Sequence, residues 1–144
     1  MGSATMGKVL VTAKVENLED LYKVKQGKLK QKKVRSVEVL DALVDTGATF
    51  LSLPTQLIQQ LGLDRIGIRR IRTTAGVREA PAYEAVRLTI QERDCTVDVM
   101  EVPNECPVLI GQVPLEVLDF VIDPKQQKLI GNPEHGGERM ADQF

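Results

Sequence analysis

The chain has 144 residues, of which 42% are hydrophobic and 27% are charged, a composition typical of one soluble domain with a single core. Lys plus Arg number 19 and Asp plus Glu number 20, so the bulk charge points to neither nucleic acid nor a membrane surface. Two tyrosines, three phenylalanines and no tryptophan are few for a protein that stacks on single-stranded bases.

The start of the chain reads MGSATM, and we expect residues 1–6 to be a vector-derived remnant. It lacks the charged and apolar regions of a secretory signal, and no apolar run approaches the roughly 18 residues that span a bilayer. Cys95 and Cys106 form no C-x-x-C pair, and with the single His135 they argue against a zinc site. We predict a reduced, cytoplasmic protein with one domain over 7–132 and a polar, frayed tail over 133–144, in which His135 is inert.

The first half of the domain is predicted to be rich in strands. Residues 8–16 (KVLVTAKVE) partly alternate between apolar and polar, which indicates a strand. Residues 20–45 predict a strand, a turn at Gly27, and a second strand with a break near Asp41. Lysine and arginine number seven in residues 23–35, with no acid. This segment is either a polyanion-binding patch or, as we favour, a solvated hairpin whose lysines discourage edge-to-edge aggregation.

Two short helices interrupt the strands. In LSLPTQLIQQLGL (51–63), Ser52 is a candidate N-cap and Gly62 a natural stop. Further strands are predicted over 66–102, with turns at Ala75-Gly76 and at 92–94. The second helix is predicted over 113–120, and a hairpin over 120–132 follows it. Both cysteines are expected to be buried as small hydrophobic side chains.

A weak internal repeat precedes the two predicted helices. ALVDTG (42–47) leads through a loop into the first helix, and VLIG (108–111) leads into the second. Two apolar strands that each end in a glycine turn before a short helix suggest pseudo-symmetric halves of one lobe.

Three motifs carry a resemblance to a known family: LVDTGAT (43–49), TTAG (73–76) and VLIG (108–111). In this order and framed by aliphatic residues, they resemble the retroviral-type (retropepsin-like) single-lobe aspartic proteases, which also occur in bacteria, over residues 8–132. The resemblance implies a mainly β fold, a closed barrel with one or two short helices that homodimerisation completes. It also implies an aspartic endopeptidase that acts on extended peptides and needs no metal or cofactor.

Asp45 is the catalytic residue that the resemblance implies. One lobe holds one such motif, so the second carboxylate must come from Asp45 of another copy across a two-fold axis. Two carboxylates about 3 Å apart repel by roughly 5 kcal/mol at an effective dielectric near 20, so the pair shares one proton. The ionised member then activates a water, and the protonated member donates to the scissile carbonyl. Asp41 lies roughly 13 Å from Asp45 along a strand, too far to be the partner.

The neighbours of Asp45 have implied supporting roles. Gly47 permits the sharp turn that points its N–H at the carboxylate, and Thr46 offers the hydroxyl that family members use to clamp two loops across the dimer axis. Ala48 replaces a serine that two-lobed relatives often carry. Because a serine hydroxyl would favour the charged carboxylate, its absence predicts a pH optimum nearer 5 than 2.

Two further elements complete the implied site. Residues 72–79 form a candidate flap over the substrate, with Thr74, Ala75 and Gly76 at its tip; this flap has one glycine, unlike the glycine-rich retroviral flaps. Gly76 is alternatively an ordinary hairpin glycine. Leu109, Ile110 and Gly111 are implied to pack under the Asp45 loop, and they form a core strand and turn on either interpretation.

Two other classes of function stay open beside the protease. The same fold is compatible with a non-catalytic dimeric module that binds a peptide strand without hydrolysing it. Residues 23–35 leave a weaker polyanion-binding hypothesis, although we expect no nucleic-acid partner. In the protease hypothesis the partners are a second copy of the chain and a peptide or protein substrate. Either terminal segment, 8–15 or 120–132, is a candidate for the dimer interface. The alternative to a catalytic Asp45 is a simple turn residue or helix cap.

Overall fold

The computed structural model describes residues 8–73 and 76–140. These residues form nine strands and three helices. The strands are β1 Leu10–Asn17, β2 Ser36–Val44, β3 Leu51–Pro54, β4 Arg65–Thr73, β5 Gly76–Ile90, β6 Arg93–Val102, β7 Leu109–Ile110, β8 Phe120–Asp123 and β9 Lys128–Gly131. The helices are α1 Leu18–Lys25, α2 Thr55–Leu61 and α3 Gln112–Leu118.

The main sheet closes on itself. Its strand order is β1-β2-β7-β3-β6-β5-β4, and β1 pairs with β5 as well as with β2. Val15 therefore lies opposite both Val37 and Leu88. Strand β4 pairs only with β5 and lies outside the closed ring. Strands β8 and β9 form a separate hairpin. The predicted mainly β, closed single-lobe fold and the hairpin over 120–132 are confirmed.

The core fills the inside of the ring. In β1, Val11, Ala13 and Val15 are buried whereas Thr12 and Lys14 are exposed, which is the period-two pattern of a strand that is covered on one side. Leu51, Leu53 and other fully buried aliphatic side chains pack against them from the strands across the ring. Burial of each such side chain stabilises the fold by about 1.5–3 kcal/mol before entropy is counted.

Helix α1 corrects the prediction for residues 20–45. The expected first strand and the solvated hairpin over 23–35 are wrong, because Leu18–Lys25 is helical and residues 31–33 form a 3-10 turn. The helix is stabilised at its start by Asn17, whose side-chain oxygen accepts from the Asp20 N–H at 2.9 Å. Acidic residues occupy its first turn and basic residues its last turn, which suits the helix dipole. The chain thus has three helices within its described part, not one or two.

Two smaller corrections concern breaks and caps. Asp41 lies inside a continuous β2, and the irregularity there is a bulge, since Val11 pairs with Ala42 but Ala13 pairs with Val39. Ser52 lies in β3 and caps nothing, because α2 begins only after Pro54. Gly62 ends α2 in a left-handed conformation with a φ of 64°, as predicted.

The turn between β5 and β6 lies earlier than predicted. Gln91 and Glu92 form it with φ values of 48° and 69°, and Arg93 is already part of β6. Two positive φ angles suit a tight hairpin whose twist matches its strands.

The segment after Asn132 is ordered, which corrects the expected fraying as far as residue 140. Pro133–His135 form a 3-10 turn, and the His135 ring bonds to Asp119 through Nδ1 at 2.6 Å. The Met140 N–H also donates to Asp119, at 3.0 Å. His135 therefore has a structural contact.

The two cysteines differ. Cys95 is buried, as predicted, and burial raises the pKa of its thiol to about 11. Cys106 is only half-buried, because it lies in the loop before β7 and not in a strand, so the prediction for it is wrong. A membrane-spanning helix is absent from the part of the chain that the structure describes.

Candidate active site

The segment that we call the active loop, residues 45–50, connects β2 to β3 around the end of β7. Strand β7 pairs in parallel with β2, with Leu43 opposite Leu109 and Val44 opposite Ile110. It pairs with β3 in the antiparallel direction, with Leu51 opposite Ile110. Because β7 lies between the two strands that the loop joins, the loop passes from one edge of this short strand to the other, and both of its ends lie beside Ile110 at the C-terminal end of β7.

Asp45 lies at the start of the active loop, and its carboxylate has a single hydrogen-bond partner among the described residues. Its backbone N–H donates to the Ile110 carbonyl at 2.9 Å, which continues the β2–β7 ladder by one residue. Its Oδ1 accepts from the Gly47 N–H at 2.9 Å. No other described residue donates to this carboxylate, and the side chain is half-exposed. The remaining lone pairs are therefore open to water or to a ligand.

Helix α3 holds the backbone of the active loop in place. The N–H groups of Gln112 and Val113 donate to the carbonyls of Ala48 and Thr49, both at 2.9 Å. The first N–H groups of a helix have no partner within it, and α3 has no side-chain cap, so the loop carbonyls take that role. The Gly111 N–H adds a bond to the Phe50 carbonyl at 2.9 Å.

Two glycines lie where an added Cβ would meet the active loop, closely at Gly111 and less closely at Gly47. A Cβ on Gly111 would lie 2.4 Å from the Phe50 carbonyl oxygen and 2.6 Å from the Thr49 carbonyl carbon, so no side chain fits unless the loop moves. A Cβ on Gly47 would lie 3.2 Å from Asp45 Oδ1, close enough to disturb the carboxylate. The glycine in each of the two sequence motifs thus has a local steric reason.

The structure brings together most of the predicted site residues. Thr46 and Gly47 are exposed at the tip of the loop and Ala48 is half-buried. In β7, Leu109 is half-buried and Ile110 fully buried beside the loop.

The candidate flap is a hairpin of β4 and β5. Thr73 pairs with Gly76, and Gly76 has a φ of 115°, which only glycine adopts without strain. Of the predicted flap tip, Thr74 and Ala75 lie outside the described residues. The hairpin is attached to the active loop by Arg69, whose guanidinium lies 5.2 Å from the Phe50 ring centroid and bonds to Asp98 at 3.0 Å.

Sequence reasoning did not find this attachment. Arg69, Phe50 and Asp98 are far apart in sequence and belong to no motif, so only the curvature of the sheet brings them together. In the sequence, Arg69 stands among other polar residues of β4, and nothing there distinguishes it from an ordinary surface arginine.

Among the described residues, three carboxylates have oxygen atoms within 4.8 Å of one another and form an acidic cluster: Glu19, Asp64 and Glu84. It lies on the surface near Arg35, whose pKa is raised by its hydrogen bond to Asp20 and by the charges of Asp20, Glu19 and Glu84. This cationic neighbour offsets the acidic charge, and the group is separate from the active loop.

The comparison with protein families agrees with this geometry. A family model described as Aspartyl protease matches residues 26–131, a range that contains the active loop, the hairpin and β7. The chain belongs to the aspartyl protease family. The resemblance to its retropepsin-like members is thereby confirmed, and a general protease function is supported. A search of curated proteins found no match to the chain.

Proposed function

We propose that two copies of this aspartyl protease form a homodimeric endopeptidase whose active site contains one Asp45 from each subunit. The observation that carries this proposal is the half-exposed Asp45 carboxylate, which a single backbone N–H orients. A second Asp45 across a two-fold axis would supply the missing half of a catalytic pair. The exposed Thr46 beside it is available to bond across that axis.

The reaction follows from one proton shared between two carboxylates. The ionised Asp45 removes a proton from a bound water while the water oxygen attacks the scissile carbonyl carbon. The protonated Asp45 of the other subunit donates its proton to the carbonyl oxygen, which gives a neutral tetrahedral diol. Collapse of the diol breaks the C–N bond, and the amine leaves with a proton returned by the carboxyl pair.

The rest of the site supports this chemistry by position. The hydrogen bonds from α3 and Gly111 keep the active loop fixed, so the carboxylate needs little reorganisation during the reaction. In the proposed enzyme the β4–β5 hairpin is the flap that covers an extended peptide and excludes water. The two free cysteines fit the expectation of a reducing cytoplasm.

The test is peptide cleavage by wild type and Asp45→Asn at pH 4 to 7. We expect the variant to lose at least about a thousandfold in kcat/KM, because neither subunit keeps an ionisable carboxyl at the site. Asp41→Asn, a change at an exposed carboxylate on β2, is the matched control and should cleave like wild type.

Statine-type mimics should inhibit, and specific activity should fall on dilution as dimers dissociate. An Asp45→Asn variant that cleaves at the wild-type rate would refute the proposal. Specific activity that stays constant on dilution while the protein is shown to be monomeric would refute the dimer. Peptide binding without any hydrolysis dependent on Asp45 would support the alternative of a dimeric peptide-binding module.

A further inference from the structure

The β4–β5 hairpin extends beyond the rest of the sheet. Strand β5 pairs with β6 only from Ala82 onward, where Ala82 lies opposite Met100. Its earlier residues, from Gly76 to Pro81, pair with β4 alone. This part of the hairpin therefore projects as two strands that no third strand flanks.

The two faces of the hairpin differ. Residues directly opposite in an antiparallel pair, and alternate residues along a strand, share a face. Ala80 lies opposite Arg69 and is 1% exposed, which identifies the face that turns toward the body of the protein. On the other face, Ile68 and Val77 are each 56% exposed. We call these the inner and outer faces.

Arg78 belongs to the inner face. It follows the same alternation as Ala80, and it lies directly opposite Ile71, whose side chain is half-buried. Arg69 on the same face contacts Phe50, the last residue of the active loop. Arg78 lies two residues along β5 from Ala80, the residue opposite Arg69, which is a step of roughly 6.6 Å toward the hairpin tip.

Arg78 is the cation on this face whose charge is not neutralised. Arg69 is paired with Asp98, and Glu79 points to the outer face, where it lies opposite Arg70. Arg78 is exposed and forms no ion pair with any other described residue.

A negative substrate side chain near the proposed Asp45 pair is favoured by such a cation beside it. The shared proton leaves a single negative charge on the proposed Asp45 pair, and this charge repels acidic groups nearby. A guanidinium offsets the repulsion and binds a carboxylate through two parallel hydrogen bonds. We propose that Arg78 makes this protease select peptides with an aspartate or glutamate close to the scissile bond, an inference that rests on the proposed function.

The experiment measures charge preference on both faces of the hairpin. A pooled synthetic peptide library is digested by wild type, Arg78→Leu, Arg78→Glu and Arg70→Leu, and the cleaved sequences are read by mass spectrometry. A peptide pair that differs only in Glu or Gln at the selected position then gives kcat/KM ratios. Arg70→Leu is the matched control, because it removes the same charge from the outer face.

We expect wild type and Arg70→Leu to prefer the Glu peptide by about three- to tenfold, and we expect added salt to reduce this ratio. Arg78→Leu should bring the ratio close to one, and Arg78→Glu should reverse it. An unchanged ratio in Arg78→Leu, an equal loss in Arg70→Leu, or a wild-type library without acidic enrichment would each overturn the inference while leaving the protease intact.

Failure of the proposed function gives a different result, namely no cleavage that depends on Asp45. The affinities of the same two peptides for the Asp45→Asn protein, measured by fluorescence anisotropy, then decide the inference. A preference for the Glu peptide that Arg78→Leu removes supports the role of Arg78 in binding, whereas equal affinities overturn it.

Discussion

Asp45 and Asp20 differ in how many hydrogen-bond partners the fold gives their carboxylates. Asp20 is 3% exposed, and Arg35 binds it through Nε and Nη2 at 2.8 and 2.9 Å and through its backbone N–H at 3.0 Å. These bonds hold the pKa of Asp20 below its usual value despite burial. Asp45 accepts one backbone N–H and contacts no cation among the described residues.

Asp119 resembles Asp20. It ends α3 in a left-handed conformation and accepts hydrogen bonds from His135, Asn132 and Met140. The bond from His135 is the main reason that the pKa of Asp119 is lowered. Where the chain uses an aspartate for structure, it supplies the partners itself. At Asp45 the partners are left for water, substrate or a second subunit.

The largest effect on stability is expected at Gly111. It would show that the backbone of the active loop is held firmly, although the carboxylate of Asp45 has only one partner among the described residues. Gly111→Ala forces a Cβ against the Phe50 and Thr49 backbone and should lower the free energy of unfolding by about 3 kcal/mol. Urea denaturation measures it. Gly67→Ala is the control, because a Cβ there meets nothing within 4 Å. Equal losses in the two variants would mean that the active loop is not fixed at this contact.

Arg35→Ala should have the next largest effect, because it leaves Asp20 buried without its cation. Since the Arg35 side chain is 46% exposed, we expect about 2 kcal/mol, below the roughly 3–5 kcal/mol typical of fully buried pairs. Arg35→Lys should fall between, because it keeps a charge but loses the two-pronged geometry. A wild-type urea midpoint for Arg35→Ala would contradict the assigned role of the pair.

The sign of the pH dependence sharpens this expectation. The pKa of Asp20 is lower in the folded protein, so the pair stabilises the fold above the unfolded-state value near 4. This contribution is lost as the pH falls through the folded-state pKa. The difference in stability between wild type and Arg35→Ala should therefore shrink below about pH 4.

Asp45→Asn should have the smallest effect on stability. The asparagine oxygen still accepts the Gly47 N–H, and no cation loses its partner. At fixed protomer concentration we expect the free energy of unfolding to change by less than about 0.5 kcal/mol. A loss above about 1 kcal/mol would show that this carboxylate, like Asp20, holds the fold together.

Much of the architecture is written in local sequence. The alternation in residues 8–16, the Gly62 stop and the hairpin over 120–132 predict their elements, because each depends on side chains only a few positions apart. The motif LVDTGAT likewise identifies the active loop, since the Gly47 N–H reaches Asp45 within two residues. Helix α1 was missed although Asn17 and the acidic first turn signal its start, because valines and lysines in alternation outweighed those caps.

Other features were decided by tertiary structure alone. The contact of Arg69 with Asp98 and Phe50 and the bonds of Asp119 to His135 join separate segments of the chain. The difference between the faces that carry Arg78 and Arg70 depends on which face of the hairpin turns toward the body of the protein. No local pattern encodes them, because an arginine on a strand looks the same in sequence whether it faces solvent or a cleft. The sequence by itself determined that Asp45 sits in a protease-like loop. Contacts between separate segments of the folded chain decided which charges are neutralised and which are left without a partner among the described residues.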